Sequence, residues 1–325
     1  MFEIKITDIE GFKLGHAQNK EGATGCSVLI CEEGASGGVD VRGGAPGTRE
    51  TDLLNPMEMV DKVHAVLLSG GSAFGLDACS GVMEYLENKE VGFDVGVSKV
   101  PIVCGAVLFD LICGNPKIRP DKQMGIDACI NAEFFDDSIN GNIGCGTGAT
   151  VGKAINPKFA MKGGFGSYAV QIGDLKVGAI VGVNSLGDIV DPNNNNKIIA
   201  GGLSEDMMSF INTEESLIKS CSKPKNVFKG NTTIGAIVTN GNFNKAHMNK
   251  IASMAQNGFG RTIRPAHTMF DGDTIFALSS NHVEADINVV GLLAAKVMEK
   301  AILKAVKEAD SSHGFTSFKD LNFIV

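Results

Sequence analysis

Asn231-Thr232-Thr233-Ile234-Gly235-Ala236-Ile237-Val238-Thr239 is an almost unbroken run of small, β-branched and apolar residues, the pattern of a strand buried on both faces. What precedes it is different in kind. Leu203 to Gly230 is polar, carries Lys219, Lys223, Lys225 and Lys229, and holds the breaker Lys223-Pro224. Residues 203–230 therefore read as an exposed linker that delivers the chain into the core at Thr232. Outward from this junction, short apolar runs predict further strands near 24–31, 64–69, 100–108, 177–184 and 274–279. Helical spacing covers 75–88, 124–132, 245–257 and 284–309, the last with Val289, Val290, Leu292, Leu293, Val297, Ala301 and Val306 set among Lys and Glu. The run Asn193 to Asn196 predicts a hairpin tip. Strands and helices mix without a strict βαβ rhythm, which favours packed sheets flanked by helices over a doubly wound sheet.

Composition bounds the function. The 325 residues are 43% hydrophobic and 20% charged, enough apolar material for one large core, so residues 1–325 are read as a single domain. A net charge of −8 argues against nucleic acid, where Lys and Arg must replace condensed counterions. The amino terminus lacks a signal-type apolar segment, and the run from Val100 to Phe109 is stopped by Asp110 before it reaches spanning length. These features predict a soluble, cytoplasmic protein with no membrane partner. The eight cysteines form no CxxC pair and the six histidines no HxH or HxxxH pair. Buried free thiols, with no metal, disulfide framework or cofactor, are expected. The 41 glycines cluster at 43–47, 70–75, 144–148 and 163–166, as tight turns and close backbone approaches require.

Few motifs carry chemistry on their own. Gly70-Gly71-Ser72-Ala73-Phe74-Gly75 follows a strand and opens a helix, yet lacks the Gly-Lys-Ser/Thr ending of a phosphate loop. It reads as a strand-to-helix turn. His267 reads as structural. Asp271-Gly272-Asp273 is either a turn or a carboxylate pair, in which one member holds a protonated amine and the other orients it. Thr232 stands between a dispensable linker and a core strand, a position that suits a nucleophile exposed by backbone cleavage. Such a threonine carries its own general base, the freed α-amine, and needs no histidine.

Several segments together resemble the DmpA-like family of self-cleaving N-terminal-nucleophile hydrolases, which includes L-aminopeptidase/D-amidases, β-peptidyl aminopeptidases and nylon-oligomer hydrolases. The matching stretches are Val41-Arg42-Gly43-Gly44-Ala45-Pro46-Gly47-Thr48, Gly70 to Ala78, Val183-Asn184, Gly230-Asn231-Thr232-Thr233-Ile234-Gly235, and Arg264-Pro265-Ala266-His267-Thr268 with Phe270-Asp271-Gly272-Asp273. The resemblance implies an α/β fold, a four-layer αββα sandwich, cut between Asn231 and Thr232 into residues 1–231 and 232–325, which stay associated. It implies Thr232 as the mature nucleophile, Asn184 as an oxyanion-stabilising amide, and Lys153 as an active-site lysine. Asp271 and Asp273 are similar to the acidic pair of the nylon-oligomer branch, and are expected to accept hydrogen bonds from the Thr232 amine and hydroxyl. Phe109, in the substrate pocket, stands where several members have tyrosine, and a phenyl ring cannot donate the phenolic hydrogen bond. The implied activity is hydrolysis of small peptides, amino-acid amides or amide oligomers such as 6-aminohexanoate oligomers, by a homo-oligomer and by analogy a tetramer. The alternatives are an acyltransferase resembling ornithine acetyltransferase, and an uncleaved, non-catalytic scaffold.

Overall fold

The apolar runs fold into one continuous sheet in a computed structural model that describes residues 1–134, 139–221 and 230–321. Its ten strands are β1 (Phe2–Ile4), β2 (Lys13–Asn19), β3 (Thr24–Val41), β4 (Thr48–Arg49), β5 (Lys62–Ser69), β6 (Val103–Val107), β7 (Gly164–Ile172), β8 (Leu175–Asn184), β9 (Thr232–Gly241) and β10 (Thr274–Val283). They are ordered β1-β7-β8-β9-β10-β3-β5-β6-β4, with β2 also paired to β3. The β9–β10 and β5–β6 pairs are parallel. The helices are α1 (Ala78–Asn88), α2 (Lys122–Asn131), α3 (Thr213–Lys219), α4 (Lys245–Thr262) and α5 (Ile287–Lys307). Asp121, Asn212, Asn244 and Asp286 cap the last four by accepting backbone N–H groups of the first turn.

β3 belongs to both halves of the sheet. Cys26 to Ile30 pair with β5, the ladder slips between Ile30 and Ala35, and Ser36 to Val41 pair with β10. Gly34, with φ +77°, supplies the left-handed residue at the slip. The two halves then face each other across a core containing Leu29, Val66 and Leu68 from one side and Ile180, Ile234, Ala236 and Phe276 from the other. Alternate residues point outward. Val181, Ile237 and Ile275 pack under α4 and α5, while Val28, Ala65 and Leu67 pack under α1 and α2. The layers run helix, sheet, sheet, helix, as expected.

Some expectations change. Gly163 to Gly166 is no turn: Gly164 and Gly166 lie inside β7, where an added Cβ would sit 2.3 Å and 2.0 Å from the carbonyls of Ala305 and Ala301 in α5. The absence of side chains lets that helix rest on the strand. Val289 and Leu292, counted with the apolar face of α5, are 46% and 49% exposed. Cys221 is exposed while the other seven cysteines are buried thiols. The linker is more structured than its composition suggests. Between Leu203 and Cys221 it holds α3, and Asp188 anchors its Thr213 through both the backbone N–H and the hydroxyl at 2.8 Å. Residues 222–229 lie outside the described residues. The hairpin expected at 193–196 joins the paired strands Asp188–Asp191 and Lys197–Ala200. Among the described residues no helix is long and apolar enough to cross a membrane.

Candidate active site

Thr232 opens β9, the strand between β8 and β10, and is paired across the ladder with Asn184 at the end of β8. Asn231 and Thr232 are only 2% and 5% exposed. The Thr232 hydroxyl donates to the carbonyl oxygen of Asn231, the carbonyl of the bond expected to break. The backbone N–H of Gly272 reaches both atoms, donating to Thr232 Oγ1 and to the Asn231 oxygen at 3.2 Å each. A hydroxyl, the carbonyl of the preceding residue and a backbone N–H that reaches both are therefore grouped at this junction. Sequence reasoning took Asp271-Gly272-Asp273 for its carboxylates and missed the glycine. Its signal is steric: a Cβ there would lie 2.8 Å from Thr232 Oγ1 and 2.9 Å from the Ala45 carbonyl.

Neither carboxylate hydrogen-bonds to the Thr232 side chain. Asp273 Oδ1 accepts the N–H of Thr233 at 2.8 Å, and its Oδ2 accepts the His267 N–H and meets His267 Nδ1, both at 3.0 Å. Asp271 Oδ2 accepts from the Thr268 N–H at 3.0 Å and from its hydroxyl at 2.5 Å. The expected bonds to a free amine have no counterpart in the intact chain, where Thr232 N is a peptide nitrogen within a ladder. The pair instead fixes the 267–273 loop and the first peptide of β9. Burial, with the charge of Asp273 adding to it, pushes the Asp271 carboxyl up to about 6, and Lys153 partly opposes the rise. His267, read as structural, packs on Asp273 and stacks on Phe259 with ring centroids 6.1 Å apart.

On the other side of Thr232, Lys153 is fully buried. Its Nζ donates to the backbone oxygen of Asn184 at 3.0 Å and to Asn184 Oδ1 at 2.7 Å. Burial is the main cause that lowers its ammonium to about 7. The Thr150 N–H also donates to Asn184 Oδ1, at 3.0 Å, so the amide is turned with Nδ2 toward the Phe109 carbonyl at 2.9 Å. The Phe109 ring lies against Gly230, where an added Cβ would approach it to 2.1 Å. Next to Phe109, Asp110 accepts the Thr24 hydroxyl at 2.6 Å and the Gly71 N–H at 2.7 Å. That bond gives the 70–75 turn its role: a Cβ on Gly70 would strike Asp110 Oδ2 at 2.0 Å. A cleft of about 120 Å³ opens over Asn231 and Thr232, walled by Pro46, Ser72, Phe109 and Phe270. A larger cavity of about 560 Å³ beside β1 contains none of these residues.

The model of peptidase family S58 matches residues 5–319. The chain belongs to that family. This S58 peptidase is 38% identical to an uncharacterised aminopeptidase of Mycobacterium leprae, over 96% of its own length and 92% of the relative's. It is 29% identical to the 6-aminohexanoate-oligomer endohydrolase of Kocuria sp., over 92% of its length and 85% of that enzyme's. Its fold matches the L-aminopeptidase D-Ala-esterase/amidase of Ochrobactrum anthropi, described as a variant of the Ntn hydrolase fold, with a TM-score of 0.66. That match covers 94% of this chain and 86% of the other at 16% identity. The S58 chain is thus an amidohydrolase with the Ntn architecture. Of the residues expected from sequence, Thr232, Asn231, Asn184, Lys153 and Phe109 share one site, and Asp271 and Asp273 brace it from the adjoining loop.

Proposed function

We propose that this amidohydrolase processes itself at Asn231–Thr232 and then hydrolyses small amides with the freed Thr232. The observation that supports this most is the Thr232 hydroxyl on the Asn231 carbonyl, with the Gly272 N–H within reach of both. In maturation, Oγ1 bonds to the Asn231 carbonyl carbon while its proton passes to the Thr232 nitrogen. The C–N bond breaks and leaves an ester, and water splits the ester into an Asn231 carboxylate and a threonine with free amine and hydroxyl. Both polar atoms of the Asn231 amide are buried without a partner among the described residues, a cost of about 1–3 kcal/mol per group that freeing this end can relieve. The two fragments stay together in this reading, because β9 is hydrogen-bonded on both edges, to β8 from residues 1–231 and to β10 from its own fragment.

In turnover, the α-amine of Thr232 takes the hydroxyl proton. Its ordinary pKa of about 7.7–8.0 already suits a base near neutrality. The substrate carbonyl takes the place of the Asn231 carbonyl, with the Gly272 N–H as one oxyanion donor and Asn184 Nδ2 as the other. Apolar walls from Pro46, Phe109 and Phe270 favour small or aliphatic acyl groups, and the names of the relatives favour amides bearing a free amino end. We place the enzyme in the cytoplasm as a homo-oligomer. The cleaved protein is expected to release amine from amino-acid amides or short 6-aminohexanoate oligomers, with activity persisting in a metal chelator. An added amine acceptor tests for acyl transfer in the same assay. Failure of fully cleaved protein on every such amide overturns the substrate class, and transfer exceeding hydrolysis overturns the reaction type.

A further inference from the structure

Lys162 falls in none of the motifs above, yet its side chain is completely enclosed. Its Nζ donates to the carbonyls of Thr147 at 3.0 Å and Ala149 at 2.8 Å. Among the described residues it makes no salt bridge. Enclosing an ammonium with no carboxylate in direct contact, and with the charge of nearby Asp110 offsetting burial only in part, is costly, and a methionine would fill the same volume without that cost. Burial accordingly lowers the group to about 8. The position of this cation therefore needs a reason other than stability.

The bond to Ala149 supplies one. The Ala149 carbonyl and the Thr150 N–H are two ends of a single planar peptide. The carbonyl end is held by Lys162 and by the Gly163 N–H at 2.9 Å. The N–H end donates to Asn184 Oδ1 at 3.0 Å. A cation on the oxygen both fixes the plane of the peptide and polarises its N–H, strengthening the bond at the far side. We propose that Lys162 is a positioning residue for Asn184, acting through the Ala149–Thr150 peptide to keep the amide turned with Nδ2 toward the Phe109 carbonyl, at the wall of the cleft. This rests on the reading of Asn184 as an oxyanion donor.

The test compares Lys162→Met, Lys162→Gln and Asn184→Ala, alone and combined, by kcat and KM on cleaved protein and by cleavage rate in freshly made chain. Lys162→Met is expected to lower kcat about tenfold, as a displaced donor does, with KM changed less than twofold. Lys162→Gln, which keeps an N–H donor, is expected to recover at least about threefold of that loss. In the Asn184→Ala background the methionine change should cost less than about twofold more, since the group it positions is gone. Should Asn184→Ala be too slow to follow, the kcat–KM split and the Gln rescue decide. An unchanged kcat in Lys162→Met, equal impairment of Met and Gln, or a full tenfold loss in the Asn184→Ala background overturns the positioning role alone. Failure of both Lys162 variants to fold does the same, assigning the lysine to the fold. A parental kcat in Asn184→Ala overturns the oxyanion reading, and the positioning role with it.

Discussion

Thr232→Ala is expected to persist as a single chain of 34.1 kDa and to release no product from any amide. The substitution removes the one atom that bonds to the Asn231 carbonyl carbon, so neither the ester nor the free amine can form. The fold should survive, because the ladder pairing of position 232 with Asn184 uses backbone atoms, and the side-chain bond from Gly272 lost with the hydroxyl is worth about 1 kcal/mol. Turnover should fall by at least about a thousandfold, ~4 kcal/mol in barrier. Thr232→Ser keeps the hydroxyl and the future amine, and should still cleave. Electrophoresis with an amide assay on both variants checks this. An alanine chain that cuts itself at the same bond would remove Thr232 from the chemistry.

Lys153→Met should lower turnover about a hundredfold, ~2.7 kcal/mol in barrier, the scale of losing one oxyanion-hole donor. The lysine donates the shortest bond to Asn184 Oδ1, at 2.7 Å, and without it the amide is held only by the Thr150 N–H and its own bond to Phe109. Lys153 opposes the upward push on the Asp271 carboxyl, so its removal favours the protonated acid, while the acid limb of the rate profile stays where the Thr232 amine sets it, near its ordinary pKa of about 7.7–8.0. Stability should change in a defined sense. The lysine is lowered from 10.5 to about 7 in the fold, so the unfolded chain binds more protons between those values and parental stability rises with pH across that window. Below about pH 7 the buried ammonium exerts its full cost. The methionine variant lacks this slope, and its stability relative to the parent should be most favourable on the acid side. Rates and thermal unfolding measured from pH 5 to 10 test both points, and an acid limb displaced from the amine's range in the variant would show that another group governs it.

Strand periodicity makes β9, β8 and β10 visible, and the contrast between the polar 203–230 segment and the apolar run at Thr232 marks the start of β9. Other features left no such trace. Gly164 and Gly166 look like turn residues because their reason for being glycine is a helix from the far end of the chain. Lys153 and Lys162 have the composition of solvated loop residues, and only the packing of residues 147–163 against β8 shows them enclosed. The carboxylates of Asp271 and Asp273 were legible as a pair, but their partners were not. His267 adopts φ +59°, and the loop it belongs to turns both acids toward its own backbone and Thr233 rather than onto the Thr232 hydroxyl. Gly272 was hidden for a related reason: its contribution is a backbone N–H, which every residue but proline has, and only its approach to Thr232 distinguishes it.

Self-cleavage between Asn231 and Thr232 is the claim on which the nucleophile, the general base and the oxyanion donors all depend. Intact-mass measurement with amino-terminal sequencing of the purified protein tests it directly. The expected result is two species, residues 1–231 and 232–325, the second beginning at Thr232. A single intact mass after prolonged incubation, in protein that hydrolyses amides, or a new terminus at any other residue, would contradict it.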